Sequence, residues 1–214
     1  MKVGIIGSAS VGQTLAKAFK AEGNEVMLGT RNPSKADVVK FNSETKIDIG
    51  TFEGSAKFGE LLVLCVKGNA ANEALQLAGK ENLSGKIIID TTNPIDESKP
   101  PVNGVLNSFT DINNSLMEQL QKDFADANFV KCFNSVGNTL MYKPQLTDIP
   151  TMFICGNNDG AKKKVTEILI AFGWDVADMG KAEAARAIEP LCNLWCIDGF
   201  LKNDWSHAFK LLRS

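Results

Sequence analysis

"GIIGSASVGQTLAKAF", residues Gly4 to Phe19, is the stretch that decides the fold. An apolar strand runs into a turn, a helix with Leu15, Ala18 and Phe19 on one face follows, and a second apolar strand comes next. That order opens a βαβ unit whose turn can receive the diphosphate of a dinucleotide. Gly7 supplies the tight bend and Gly12 the close packing of helix on strand. The middle position, where the backbone must approach the diphosphate, is Ala9 where a glycine is usual. Alanine adds one methyl and disfavours positive φ. The expectation is therefore a negative φ at Ala9, with the diphosphate held slightly higher against the helix N-terminus and its free N–H groups. Ser8 and Ser10 add hydroxyl donors beside it.

Outward from this turn, short runs rich in Val and Ile alternate with stretches of helical period, the mark of a parallel sheet covered by helices. Strands are expected at Lys2 to Ile6, Glu25 to Leu28, Lys46 to Ile49, Leu61 to Val66, Ile87 to Asp90, Phe129 to Cys132, Thr151 to Cys155 and Trp174 to Ala177. The clearest helices are Val11 to Ala21, Ala70 to Ala78, Asn114 to Phe124 and Gly160 to Phe172. A helical region from Ala182 to Leu212 should be interrupted by Pro190 and Gly199. The fold class is α/β, a Rossmann-type doubly wound, mainly parallel sheet. Residues 1–180 form the dinucleotide-binding domain, and 181–214 a short C-terminal helical segment packed on it. "NPIDESKPPVNGVLNSFTDI", Asn93 to Ile112, is long and turn-rich, and reads either as a lid or binding loop or as a surface excursion.

The end of the second strand distinguishes the two nicotinamide cofactors. An NAD site places Asp or Glu there, about 20 residues past the turn, to bind the ribose 2′-hydroxyl. Here the chain reads "MLGTRNPSK", with no carboxylate from Met27 to Lys35. Thr30 and Asn32 offer neutral groups, while Arg31 and Lys35 bring positive charge to the position of a 2′-phosphate. NADP(H) is the expected cofactor.

Ligands of such a sheet bind beyond the carboxyl ends of its strands. "CVKGNAAN" follows the fourth strand, where Val66 can pack on the nicotinamide and Lys67, Gly68 and Asn69 can hold ribose or diphosphate. "IIDTTNP" brings Asn93 near the ring, and "KCFNSVGN" brings Phe133, Asn134 and Gly137. The same Asx residues also serve as helix caps and turn formers. No side chain stands out as a general acid or base. A carbonyl or imine acceptor would need a proton donor such as Lys67, Tyr142 or Asp90, whereas a flavin-like acceptor needs chiefly distance and angle between two rings.

Composition narrows the classes further. A net charge of −2 over 214 residues gives no reason to expect nucleic acid or an anionic membrane as partner. No run reaches membrane-spanning length, and the N-terminus carries no basic leader before its apolar strand, so a cytoplasmic protein acting on small molecules is expected. The five cysteines lack C-x-x-C spacing. Cys65, Cys132 and Cys155 read as packing groups. Cys192 and Cys196, four apart, can share a helix face, where packing and a redox pair are the alternatives. His207 is the single histidine, which disfavours a histidine metal cluster or a serine–histidine triad.

The turn, "GTRNPSK", "DTTNP", "VKCFNSVGN", "MFICGNNDGAKKKV" and "EAARAIEPLCNLW" together resemble the coenzyme F-420-dependent NADP oxidoreductase family, the NADPH:deazaflavin reductase-like dinucleotide-binding proteins. The resemblance spans nearly the whole chain. It implies a Rossmann domain with a small C-terminal portion, a homodimer, and NADPH bound with its nicotinamide facing a deazaflavin F-420 acceptor. By position it implies that Ser8, Ala9, Ser10 and Val11 line the diphosphate, that Thr30, Arg31, Asn32 and Lys35 line the 2′-phosphate, and that Val66, Lys67 and Asn93 border the nicotinamide. Ferric reductases with a similar cytosolic domain point to a flavin as the other acceptor. A non-catalytic NADP(H)-binding redox sensor and an imine or carbonyl reductase are the alternatives.

Overall fold

The computed structural model describes residues 1–213. In chain order the elements are β1 (Lys2–Ile6), α1 (Ser10–Ala21), β2 (Glu25–Gly29), α2 (Ala36–Thr45), β3 (Asp48–Gly50), α3 (Phe52–Phe58), β4 (Leu61–Leu64), α4 (Ala71–Ala78), α5 (Lys80–Leu83), β5 (Ile87–Asp90), α6 (Leu116–Asp123), β6 (Asn128–Lys131), β7 (Thr151–Ile154), α7 (Asp159–Ala171), β8 (Asp175–Asp178), α8 (Ala185–Ile188) and α9 (Pro190–Lys202). Six strands form one parallel sheet in the order β3-β2-β1-β4-β5-β6. β7 and β8 pair in parallel as a separate two-stranded sheet, joined to the end of β6 by an antiparallel bridge between Lys131 and Cys155.

The unbroken apolar runs of the strands follow from burial on both faces. Val3 and Ile5 of β1, Leu61 and Val63 of β4, Ile89 of β5 and Val130 of β6 enter one core, which Leu15 and Phe19 of α1 and Leu169 and Phe172 from the α7 end complete. Ile6, Leu62, Leu64, Ile88 and Phe129 point the other way into a second core with Ala74 and Leu75 of α4 and Leu116 and Leu120 of α6. Strand order reverses between β1 and β4, so the loops after these two strands open a crevice at the top of the sheet.

The C-terminal segment departs in part from the sequence expectation. The expected interruption at Pro190 is present, since α8 ends at Ile188 and Pro190 opens α9, where the first helical position needs no N–H. Gly199 lies inside α9 without a break, with the Trp205 indole seated against it so closely that a Cβ would collide with the ring. The helix ends at Lys202 rather than near Leu212. Asn203 takes a left-handed φ of 55° there, and the following residues run without helix along the core, where the Trp195 indole N–H donates to the His207 carbonyl at 2.7 Å and the Thr151 N–H to that of Phe209 at 2.8 Å. Among the described residues no helix is long and apolar enough to cross a membrane.

The Asn93 to Ile112 stretch is a short hairpin-like strap. Bridges between Ile95 and Ser108 and between Val102 and Val105 close it on itself. The Asn193 side chain of α9 accepts from the Leu106 N–H at 2.8 Å and donates to the Leu106 carbonyl at 2.9 Å.

Candidate active site

Gly7 has φ of 132°, a region that only glycine enters readily, and a Cβ there would strike the Cys65 carbonyl. A Cβ on Gly12 would run into the Gly7 carbonyl. These two glycines let β1, the turn and α1 approach within backbone contact. Between them Ala9 sits at φ −81° and ψ −173°, the negative φ expected of it. Helix α1 starts at Ser10, with no side-chain cap and no acidic residue in its first turn. In contrast, α3, α6 and α7 are capped by Thr51, Ser115 and Asn158. The first N–H groups of α1 are thus left for an external anion, with the helix dipole favouring negative charge.

A cleft of about 360 Å³ brings together Gly7, Ser8, Ala9, Thr30, Arg31, Asn32, Lys35, Val66 and Lys67. A second hollow of about 280 Å³ adjoins it across Ala9, Val66 and Lys67, and adds Ser10, Val11 and Asn93. Twelve of the fourteen residues expected from sequence therefore line one continuous two-part groove. Gly12 and Asn134 do not. Gly12 lies beneath the turn. Asn134 is buried behind Asn93, donating to Asn93 Oδ1 at 3.2 Å and to the Ile188 carbonyl at 2.9 Å.

At the β2 end the four polar residues differ in availability. The Thr30 hydroxyl is buried and accepts from Ser8 Oγ at 3.0 Å, tying the turn to β2. Asn32 folds its side-chain oxygen onto the Ser34 N–H at 3.0 Å, and Lys35 pairs with Asp37 at 2.8 Å, which holds the Asp37 carboxyl below its ordinary range. Arg31 is exposed on the cleft wall and has no hydrogen-bond or ion-pair partner among the described residues. The end of β2 is a cationic seat in which Asp37 is taken up by Lys35 and Arg31 is left to face the cleft. These features fit a phosphate-bearing dinucleotide.

Sequence reasoning missed part of the cleft lining, formed by Phe52 of α3, Ala70 just before α4, and Glu73, Ala74 and Leu77 along α4. The spacing of Ala70, Ala74 and Leu77 gives one helix face, a signal that reads equally as core. Thr91, Thr92, Ile95 and Glu97 were also missed in the second hollow.

The proton donors considered from sequence are all engaged. Asp90 is fully buried, with Lys131 Nζ 2.7 Å from its Oδ2. Tyr142 donates to Glu22 Oε1 at 2.7 Å, away from the groove. Lys67 pairs with Glu97 at 2.7 Å across the second hollow. A third hollow, about 290 Å³, lies between the strap and the C-terminal helices and shares Asn93 and Ile95 with the second. Its lining is mainly apolar, through residues such as Leu106, Pro190 and Cys192, and also carries Ser108, Thr110, Asn193 and the charged Asp111, Arg186 and Glu189. Cys65, Cys132, Cys155 and Cys192 are buried and Cys196 half-buried, all as free thiols, and burial pushes the Cys155 thiol up to about 12.

Residues 2–94 match the family described as NADP oxidoreductase, coenzyme F420-dependent. A solved structure of a candidate F420-dependent NADP-reductase from Arthrobacter sp. FB24 is 31% identical and superposes with a TM-score of 0.94 over 100% of both chains. The chain belongs to the F420-dependent NADP oxidoreductase family. That family is one of NADP-dependent oxidoreductases, and this chain has its Rossmann-type fold with a turn and a β2 end that fit NADP(H). The metalloreductase STEAP3 of Rattus norvegicus is 28% identical over 191 residues, 89% of this chain and 36% of its own length, so the chain spans about a third of that relative. An imine reductase from Streptomyces aurantiacus shares the fold at 16% identity, with a TM-score of 0.63 over 89% of this chain and 60% of its own.

Proposed function

We propose that this oxidoreductase transfers hydride between NADP(H) and a flavin or deazaflavin of the F-420 type. The observation that carries the reading is the third hollow. It meets the second at Asn93 and Ile95, and its mainly apolar lining, interspersed with hydrogen-bonding side chains, suits a heteroaromatic ring bearing a hydroxylated side chain.

In this reading Arg31, with Lys35 and Asn32 beside it, holds the 2′-phosphate, and Ser8, Ala9 and the first N–H groups of α1 hold the diphosphate. Val66 and Asn93 border the nicotinamide. When bound, NADPH supplies the hydride, with its electron pair, to the acceptor ring, and solvent supplies the proton that balances the reduced acceptor. The chain's own contribution is to fix the two ring planes and keep water from between them. The burial of Asp90 and the placement of Tyr142 away from the groove support an acceptor that needs no protein acid over a carbonyl or imine.

The test is to mix the protein anaerobically with NADPH and, separately, a deazaflavin, FMN, FAD, a ferric chelate and a cyclic imine, following loss of nicotinamide absorbance. Turnover with a deazaflavin or flavin and not with the imine is expected. Turnover confined to the imine or the ferric chelate overturns the reading, and tight NADPH binding without any turnover assigns the protein to the redox sensors.

A further inference from the structure

Directly beneath the junction of the second and third hollows lies a group that the hydride-transfer reading does not use. Lys131, the last residue of β6, is fully buried with both its ion partners. Its ammonium donates to the Thr92 carbonyl at the root of the strap at 2.8 Å and lies at ion-pair distance from carboxylates on two other segments, 2.7 Å from Asp90 Oδ2 at the end of β5 and 2.9 Å from Glu189 Oε1 immediately before α9. Asp90 Oδ1 accepts from the Thr92 N–H at 2.9 Å and from its hydroxyl at 2.7 Å. Glu189 accepts from the Leu116 and Met117 N–H groups, both at 2.9 Å, so the first turn of α6 balances the second carboxylate.

Buried ion pairs of this kind are poor sources of stability compared with apolar packing of the same volume. What the network supplies is geometry. Thr92 and Asn93 wall the second hollow, Glu189 walls the third, and Asn93 belongs to both. One cation therefore sets the distance between the two walls.

We propose that Lys131 is a positioning residue that fixes the separation and tilt of the nicotinamide and acceptor rings by clamping the Thr92–Asn93 wall to Glu189. The proposal rests on the placement of the rings in the two hollows given above. Lys131 touches neither ring. Its removal should leave NADPH affinity, set at the Arg31 and α1 ends, and impair the chemical step, where small misplacements of reacting groups lower rates steeply.

The test compares wild type with Lys131→Met and with the double variant Asp90→Asn/Lys131→Met. The double variant removes one positive and one negative charge together and leaves Glu189 on the α6 N–H groups. Both are loaded with NADPH deuterated at nicotinamide C4. In a folded variant the account expects NADPH dissociation constants within about threefold of wild type, single-turnover hydride transfer slowed at least about tenfold, and a larger primary isotope effect. It also expects a smaller fluorescence enhancement of the bound nicotinamide. Should neither variant fold, Lys131→Arg, which keeps the charge and changes its reach, carries the same comparison. Wild-type transfer rate and isotope effect in a folded variant overturn the proposal. If the wild type reduces no acceptor, the hydride-transfer reading fails by itself, and the fluorescence decides on Lys131: unchanged enhancement overturns its positioning role, and a fall supports it.

Discussion

At Ala9 the backbone already adopts an ordinary extended conformation, so a glycine there would gain no access that the turn uses. Ala9→Gly is expected to leave NADPH affinity within about threefold, measured by calorimetric titration; tighter binding by tenfold or more would show that the methyl obstructs the diphosphate. Gly12 is the opposite case. Gly12→Ala presses a methyl onto the Gly7 carbonyl and should destabilise the protein by about 1–3 kcal/mol, read as a lower denaturant midpoint. Arg31 has no partner among the described residues and faces the cleft, and Arg31→Ala should weaken NADPH by about 1.5–3 kcal/mol while NADH changes little. That is roughly ten- to a hundredfold. Equal losses for the two cofactors would contradict the 2′-phosphate assignment. Gly7, Gly12 and Arg31 were legible because their chemistry is local to a motif of fixed spacing. Asn134 and Lys131 were not, since their roles depend on which segments the fold brings beneath Asn93.

Among the elements, α6 shows how the C-terminal segment is fastened. Ser115 and Glu118 form a capping box, and the Arg186 guanidinium grips the Glu118 carboxylate. Arg186 together with the Ser115 bonds holds Glu118 far below its ordinary 4.5, at about 2, against the opposing effect of burial. A carboxyl depressed in the fold contributes stability above its unfolded value and loses it as pH falls through the folded one. Stability should therefore decline between about pH 5 and pH 2, and Glu118→Gln should flatten that part of the curve in acid melts. An unchanged slope would remove the Arg186 contact from the account. The strands were readable because burial on both faces leaves continuous Val and Ile runs. The end of α9 was not, because Trp205 reaches back to cover Gly199, and composition alone cannot show which side chain covers a glycine.

Across the whole molecule, the reversal of strand order between β1 and β4 creates the crevice, and the strap and C-terminal helices turn its open end into a second chamber. The cofactor half of this arrangement follows from the βαβ pattern. The acceptor half follows from contacts between segments nearly ninety residues apart, such as Asn193 with Leu106, which no local pattern announces. Ligand linkage gives a test of the first half: saturating NADPH should raise the melting temperature well above the effect of equal NADH, as binding to the native state alone stabilises it by about 2.7 kcal/mol at a hundredfold excess over the dissociation constant. The second half is tested most directly by following the transferred atom. With NADPH deuterated at C4, one epimer at a time, and a deazaflavin acceptor, one epimer should deliver its deuterium to the acceptor's ring carbon, where it remains. The other should deliver protium. Loss of the label to solvent, transfer from both epimers alike, or no reduction of the deazaflavin or of a flavin would contradict a fixed face-to-face passage of hydride in this protein.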